Sequence, residues 1–529
     1  MDNMKKIIFS TIAVISLLSI FSGCTKDFAE MNTDPHALIN LNNEQYAGMF
    51  LQAERYIYTG AQYQLFEGLH TDLFSQFYAV CVTSFTSDRY VFNTSWVNSL
   101  LNHILINGGP SLVNIMKHYE EDTAEYALAK VMWVYGMHHM TDFYGAAPYI
   151  GASDGKVVDW LDCKTVYHLM IEDLDKSIAT LKSADKTMFA GTDRIFQGDL
   201  KMWAKFAASM KLRLGMRLVN KEPDFAKTTC EAAFAAGVLT GDEESALFTT
   251  RAGGDDYNQG NVIGRNAGWN EFAMSSAMLS YLGGYNDPRL GIYFQPAIMT
   301  DTFHSIRNGM STVEMNNQEN QGPWNSNVGE RWLTYTSTPK QQSVYTEHAD
   351  EKIVIMPVSE VYFLRAEGAL RGWNMGGNAK DLYNEGIRKS MKQWGVPSAD
   401  AETYLNGTTD PSAPNDSFNS PAVTTNLPVK YKDGAGLEYN LQQIITQKWL
   451  GLYGGPSPEA WAEVRRTGYP VLYPILHSDN ELFPEGSGKT IQREKFSNEL
   501  KSQSPQGYAS AVAAVGGVDQ EDVKIYWAK

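Results

Sequence analysis

From Glu125 to Tyr144 apolar residues recur at a helical rather than a strand period. Leu128, Val131, Met132, Tyr135 and His139 share one face, and Gly145 and Pro148 mark the stop. A second stripe runs through Val166, Leu169, Met170, Leu174 and Leu181, and a third through Trp203, Phe206, Ala207, Met210, Leu214 and Leu218. Three successive amphipathic helices predict a helical-hairpin scaffold. The same period returns in Val358, Val361, Tyr362, Ala366 and Ala369, opposed by Glu360, Glu367 and Arg371, then in a helix over 379–394, and again in Leu441, Ile445, Trp449 and Leu452. No tandem repeat of fixed length is evident, but paired helices of this size fit degenerate tetratricopeptide-like units.

Between the helical blocks, 241–350 is rich in Gly, Asn, Thr and aromatic residues and has little sustained period, which predicts loops and short strands. A stretch that long without regular structure is usually functional or disordered, and its many rings argue against disorder. A second irregular insert, 411–428, is poor in aromatics and is expected on the surface. At the other end of the chain, Met4-Lys5-Lys6, an apolar run over 7–21 and Ser22-Gly23-Cys24 read as a bacterial lipoprotein signal peptide, with Cys24 the lipidated first residue of the mature chain. The polar stretch 25–43, with its turn Asn32-Thr33-Asp34-Pro35, reads as a tether into the fold.

Removing 1–23 takes away Lys5, Lys6 and Asp2 and leaves 42 basic against 59 acidic residues. An acidic chain with no basic stripe argues against nucleic acid as a partner. No second hydrophobic stretch reaches spanning length, so the lipid is the expected membrane attachment. Cys81, Cys163 and Cys230 are odd in number and widely spaced, and read as small buried hydrophobes rather than a disulfide framework or a metal knuckle.

Candidate chemistry is sparse. Gly151-Ala152-Ser153-Asp154-Gly155 matches G-x-S-x-G, yet a nucleophile elbow needs a strand before it and a helix directly after. Gly486-Ser487-Gly488-Lys489-Thr490 imitates a P-loop, but the motif's first glycine falls on Phe483, so the segment reads as a surface turn. His138-His139 lacks HExxH spacing, and Asp255-Asp256-Tyr257-Asn258 breaks the alternation of a calcium loop, so no metal and no cofactor are expected. Arg213, Arg217 and Arg365 lie in or beside apolar stripes and are expected in buried ion pairs. Arg289, just after Pro288, reads as a structural salt-bridge donor.

The chain resembles the SusD/RagB-like outer-membrane nutrient-binding lipoproteins of Bacteroidetes. The residues that carry this, in order, are the lipobox at Cys24, the Asn32–Pro35 turn, Tyr144-Gly145-Ala146-Ala147-Pro148, the helix over 167–181, Asp287-Pro288-Arg289 and the helix over 361–372. Gln447-Lys448-Trp449, Glu459-Ala460-Trp461 and Arg465-Arg466-Thr467-Gly468-Tyr469-Pro470 complete the series. The resemblance implies a mainly α fold over 24–529, with a tetratricopeptide-like helix-pair scaffold mainly in 44–240 and 351–470 and an irregular, loop-rich ligand-binding half at 241–350. It also implies a cell-surface, lipid-anchored protein of the outer membrane. Such a protein captures a nutrient, an oligosaccharide first of all, and delivers it to a partner SusC-like TonB-dependent transporter without catalysis. A peptide-capturing member, a surface-anchored glycoside hydrolase and a pure helical-repeat scaffold are the alternatives.

Stacking on a sugar needs rings held on loops. In the irregular half the supply is Trp269, Tyr281, Tyr285, Trp324, Trp332, Tyr335 and Tyr345, with Asn270, Asn286, Asp287 and Arg289 as polar neighbours. Trp96, between Asn93 and Asn98, is a further candidate. Each of these rings competes with an ordinary role in packing.

Overall fold

A computed structural model describes residues 41–58, 64–151, 159–249, 271–341, 344–348 and 352–529. Cys24 and its leader, the Asn32–Pro35 turn, Ala152–Gly155 and Asp255–Asn258 lie outside the described residues. The chain divides into two compact units, Met1–Tyr46 and Ala47–Lys529. Of the first, only the approach to helix α1 (Asn43–Ile57) and its opening residues are described.

The second unit is mainly helical. After α1 come a π-helical segment Gln64–Thr71, α2 (Thr94–Leu101), α3 (Gly109–His118), α4 (Ala124–Tyr144), α5 (Cys163–Ser183), α6 (Leu200–Arg217) and α7 (Pro223–Ala236). Then follow α8 (Ser276–Gly284), α9 (Val358–Leu370), α10 (Ala379–Gln393), α11 (Ser398–Leu405), α12 (Leu437–Gly451) and α13 (Ser457–Thr467). Side chains fix several starts: Thr123, Asp162, Asp199 and Asn378 each accept an N–H from the first turn of α4, α5, α6 and α10. Gly145 and Gly468 end α4 and α13 in the left-handed region, at φ 83° and 82°, where a side chain is strained.

Neighbouring helices pack in antiparallel succession, α4 on α5, α5 on α6, α6 on α7 and α9 on α10, the arrangement of tetratricopeptide-like helix pairs. Expected stripes and observed helices agree to within a few residues. One difference is that α4 is buried on all sides, not on one face, because α3, α5, α6 and α13 surround it.

Charge as well as hydrocarbon fills the scaffold's centre. Arg217 contacts Asp142 and Glu459, Lys448 reaches Glu459 at 2.9 Å and Glu463 at 2.8 Å, and Arg466 binds Glu367 at 2.6 Å. The cations around it hold Glu459 well below the usual carboxylate range although burial works the other way. Arg213 and Arg217 thus sit in the expected buried ion pairs, and Arg289 in its salt bridge with Asp287. Arg365 does not: its Nε donates to the Met375 carbonyl and its guanidinium lies 4.8 Å from the Phe234 and Tyr362 rings, which take the place of the carboxylate. Cys81, Cys163 and Cys230 are free and buried.

The strands are short and antiparallel. β1 (Tyr78–Val80) pairs with β5 (Phe272–Met274), β2 (Ala146–Ala147) with β3 (Leu161–Asp162), β4 (Ala246–Phe248) with β10 (Ile353–Met356), β6 (Phe294–Gln295) with β7 (Asn327–Val328), and β8 (Leu333–Tyr335) with β9 (Tyr345–Glu347). Residues 411–428 lie largely at the surface, as expected, and their buried positions, Asp416 and Ser420 among them, line α8. Ser412 N–H donates to the Ser280 carbonyl at 3.0 Å, and Ser276 Oγ donates to Asp416 at 2.7 Å. Glycine makes this possible: a Cβ at Gly284 would stand 2.3 Å from Ser412 N.

Candidate functional site

The β1–β5 ribbon carries a ring cluster that is partly open to solvent. Val80 stands opposite Phe272, and one step further Cys81 N–H donates to the Glu271 carbonyl at 2.9 Å. The chain then passes through Phe85 into a 3-10 turn, Ser87–Arg89, anchored by buried Asp88. The Asp88 carboxylate accepts from Val80 N–H, Gly309 N–H and Asn308 Nδ2 at 2.8 to 3.2 Å. Burial pushes that carboxyl up to about 6 despite these bonds. With the turn fixed, α2 presents Trp96.

Phe85 is the hinge of the cluster. Its ring lies 5.8 Å from Trp96, edge to face, and 6.5 Å from Phe272, which is itself stacked on Tyr78 at 6.1 Å. Phe85 and Trp96 are half-buried, and Thr83, Ser84, Val91 and Asn93 around them are exposed. Polar groups close the circuit. Gln64 Nε2 donates to Glu271 Oε2 at 2.8 Å, and the π-helical segment that carries Gln64 packs on α2. Glu271 is half-buried. Burial pushes its carboxyl up to about 7, Gln64 pulls the other way, and no second acid contributes. Half-exposed rings on the same ribbon-and-helix framework as an amide and a carboxyl can stack on the apolar face of a sugar and bond its polar substituents.

Of the candidate rings, Trp96 belongs to this cluster. Its flanking Asn98 is committed internally, accepting from Ser497 Oγ at 2.7 Å and donating to Asn102 at 3.2 Å. Trp324 is half-buried at the end of a 3-10 turn. Two residues on, the Ser326 carbonyl accepts from Met274 N–H, so this segment borders β5 on the side away from β1. Tyr345 is half-buried on β9. Trp269 and Asn270 immediately precede Glu271 in the chain and lie outside the described residues.

Four other rings are corrected from surface to core. Tyr281 is fully buried, its hydroxyl donating to the Val471 carbonyl at 2.9 Å and its ring 5.5 Å from Trp449. Tyr285 donates to the Leu427 carbonyl at 2.7 Å. Both belong to α8, a helix inside the region expected to be irregular, with Ala277, Met278, Leu279 and Leu282 buried as well. Trp332 packs on Trp394 and Tyr453, and Tyr335 accepts from Asn327 Nδ2 at 2.9 Å. Arg289 is equally committed, holding Asp287 at 2.6 Å and Ser390 at 2.8 Å, and Asn286 is an exposed turn residue at φ 51°.

Phe85, Gln64, Glu271 and Phe272 were not legible as site residues. The available signal for Phe85 was a single ring inside the polar run Thr83-Ser84-Phe85-Thr86-Ser87. For Gln64 and Glu271 there was none, since 207 positions separate them.

A hollow of about 440 Å³ lies along α10 and α11 and is lined by residues that include Asp242, Arg388, Lys389, Lys392 and Glu402, with no aromatic side chain. Its charges already pair with one another: Lys389 and Lys392 hold Asp242, and Arg388 holds Glu402. Among the described residues no group of three or more His, Cys, Asp or Glu could hold a metal ion, and no helix is long and apolar enough to cross a membrane. His138 Nε2 lies 3.2 Å from Asp142, within α4.

Residues 30–528 match the family model described as SusD-like, the Susd and RagB outer membrane lipoproteins. A chitin-binding SusD homologue from Flavobacterium johnsoniae is 28% identical, with a TM-score of 0.78 over 91% of this chain and 98% of that one. A SusD-like protein from Bacteroides thetaiotaomicron VPI-5482 is 28% identical, with a TM-score of 0.79 over 91% of this chain and 98% of that one. A second homologue from the same strain is 26% identical, with a TM-score of 0.78 over 92% and 99%. No curated protein sequence gives a significant match.

Proposed function

Because the chain belongs to the SusD-like family of outer-membrane lipoproteins, we propose that it captures an oligosaccharide at the cell surface and hands it to a SusC-like TonB-dependent transporter. The observation that supports this reading is the half-open Phe85–Trp96 ring pair, linked through Phe272 to the strand that Glu271 precedes and through α2 to the segment of Gln64. Stacking uses a sugar's apolar face and tolerates several sugars, so affinity is modest and suits transfer rather than retention. The relative from Flavobacterium johnsoniae, described as chitin-binding, supports a glycan as the ligand. Cys24, lipidated after removal of 1–23, is the proposed anchor in the outer membrane, consistent with the family's description.

Binding without turnover is favoured over hydrolysis. Glycoside cleavage uses two carboxyl groups about 5 to 9.5 Å apart. Glu271 has the raised pKa of an acid, but burial alone raises it. The test is a binding screen of the full chain against soluble polysaccharides and peptides, read by affinity electrophoresis and calorimetry with product analysis alongside. Saturable glycan binding with no product is the expected result. Released sugars would replace capture by hydrolysis, and binding to peptides alone would move the protein to the peptide-capturing alternative. Delivery is checked separately, by retention of a TonB-dependent transporter on the tagged chain from detergent-solubilised outer membranes.

A further inference from the structure

We propose that the glycan taken by this site carries a free amino group, and that Glu271 is the residue that selects it. This rests on the capture reading above and goes beyond it by naming the ligand's chemical class.

The backbone of Glu271 is fixed by the Cys81 N–H bond at the end of the β1–β5 ribbon, and Gln64 holds one carboxylate oxygen at 2.8 Å. Among the described residues no lysine or arginine pairs with Glu271. Carboxyls without a cation occur elsewhere, as at Glu54 and Glu494, but those are sealed in the core at 0% and 1% exposure, where no ligand reaches. Glu271 differs in being half-buried and in preceding in the chain Phe272, whose ring lies 6.5 Å from Phe85, while its partner Gln64 belongs to the segment that packs on α2, the helix of Trp96.

A carboxylate in that position has lost part of its hydration and, among the described residues, gained one neutral amide in return. A ligand hydroxyl offers another neutral bond. A ligand ammonium offers a charge-assisted bond, roughly twice as strong, and meets the faces of nearby rings favourably. An acetylated nitrogen carries no charge and forfeits this gain. The carboxyl's position near 7, set by burial, leaves it divided between neutral and ionised forms near neutral pH, and an arriving ammonium draws it to the ionised form.

The experiment compares three β-1,4-linked hexamers on the full chain by calorimetry at pH 6.5: the glucosamine hexamer, its N-acetylated counterpart and the glucose hexamer. The glucosamine hexamer is expected to bind about tenfold more tightly than either of the others. Glu271→Gln keeps the shape and the Gln64 contact, so it is expected to bring the three within about twofold of one another, with the neutral hexamers unchanged. Trp96→Ala is expected to weaken all three together. Circular dichroism and melting temperature establish that both variants fold. Equal binding of all three hexamers, or a preference that survives in Glu271→Gln, overturns the amine selection while leaving capture intact. Binding of no hexamer and no other glycan overturns both.

Discussion

Arg213 on α6 and Glu360 on α9 meet in a two-pronged ion pair, Nε to Oε1 and Nη2 to Oε2 at 2.7 Å each, with both side chains shut off from water. The pair ties the first block of helices to the second across 147 positions of sequence. Removing one partner leaves the other buried with only a longer contact, Arg213 with Glu459 at 3.5 Å or Glu360 with Lys448 at 3.7 Å, at a cost of about 3 kcal/mol. Glu360→Ala is therefore expected to lower the denaturation midpoint sharply. The double variant Arg213→Met, Glu360→Leu is expected to recover much of that loss, because Glu459 keeps Arg217 and Lys448. Denaturant titration of wild type, Glu360→Ala and the double variant checks this. A double variant no better than Glu360→Ala would mean that the pair contributes more than mutual neutralisation.

Glu494 sets a pH dependence of the opposite sign to a paired carboxylate. Burial pushes it up to about 8, with Glu521 adding to the rise, while burial lowers His70, 3.1 Å away, to about 3. At neutral pH both are uncharged. A raised folded-state pKa keeps the proton on Glu494 after the unfolded chain has lost it near the model carboxyl value of 4.5. Stability is therefore lost as pH rises from there toward 8, by an amount on the order of 3 to 5 kcal/mol. Glu494→Gln, always neutral, is expected to match the wild-type melting temperature at pH 5 and exceed it at pH 8.5. Parallel melting curves for the two proteins across that range would show that Glu494 is not the group responsible.

The helical scaffold was legible because its signal is local. Stripes such as Trp203, Phe206, Met210 and Leu214 fix both period and buried face within one window, and Gly145 or Asp199 marks an end. The site was not, for two reasons. A ring in a loop has the same letter whether a neighbour covers it or not, and the cover comes from far away: Trp449 over Tyr281, Tyr453 over Trp332. Second, α8 lies among glycine- and asparagine-rich segments and is buried on nearly every side, with Ser276 and Ser280 as its only polar non-aromatic side chains, so it has no charged face to set a period, and Tyr281 and Tyr285 looked like loop rings. Trp96 stood out as a ring among asparagines, but nothing in the sequence brings Phe85 to it or sets Glu271 at the end of the ribbon that carries Phe272.

The C-terminal tail completes the charged centre. Trp527 is fully buried, its indole N–H donates to Asp142 at 3.1 Å, and Arg217 lies 5.0 Å from its ring. Asp142 also faces His138 and Arg217, which hold it well below the usual carboxylate range although burial opposes them. Trp527→Ala is expected to cost about 3 to 5 kcal/mol through the cavity and the lost bond. Trp527→Phe keeps most of the ring and is expected to cost less, so the difference between the two separates packing from the bond to Asp142. Melting temperatures of both variants check this, and a change of only a degree or two for Trp527→Ala would show that the tail does not brace the core.

Trp96 and Trp332, two rings singled out for the same role, are expected to part company when mutated. Trp332 is wedged between Trp394 and Tyr453 at 5.6 and 5.8 Å, and its ring fills the space where a Cβ on Gly454 would lie, 2.8 Å away. Removing it opens a cavity in the core, so Trp332→Ala is expected to destabilise by about 3 to 5 kcal/mol while the protein that remains folded keeps its glycan affinity. Among the described residues Trp96 has one ring contact, with Phe85, and it is half-buried. Trp96→Ala is expected to cost about 1 kcal/mol or less in stability and to lose glycan binding by tenfold or more. Thermal melting and calorimetry on the two variants give four numbers, and the site stands only if they cross: a stable protein that no longer binds, and a weakened one that does. A Trp96→Ala variant that melts early and binds normally would return this ring to the packing role, and the Phe85–Trp96 ring pair would lose its claim to the ligand.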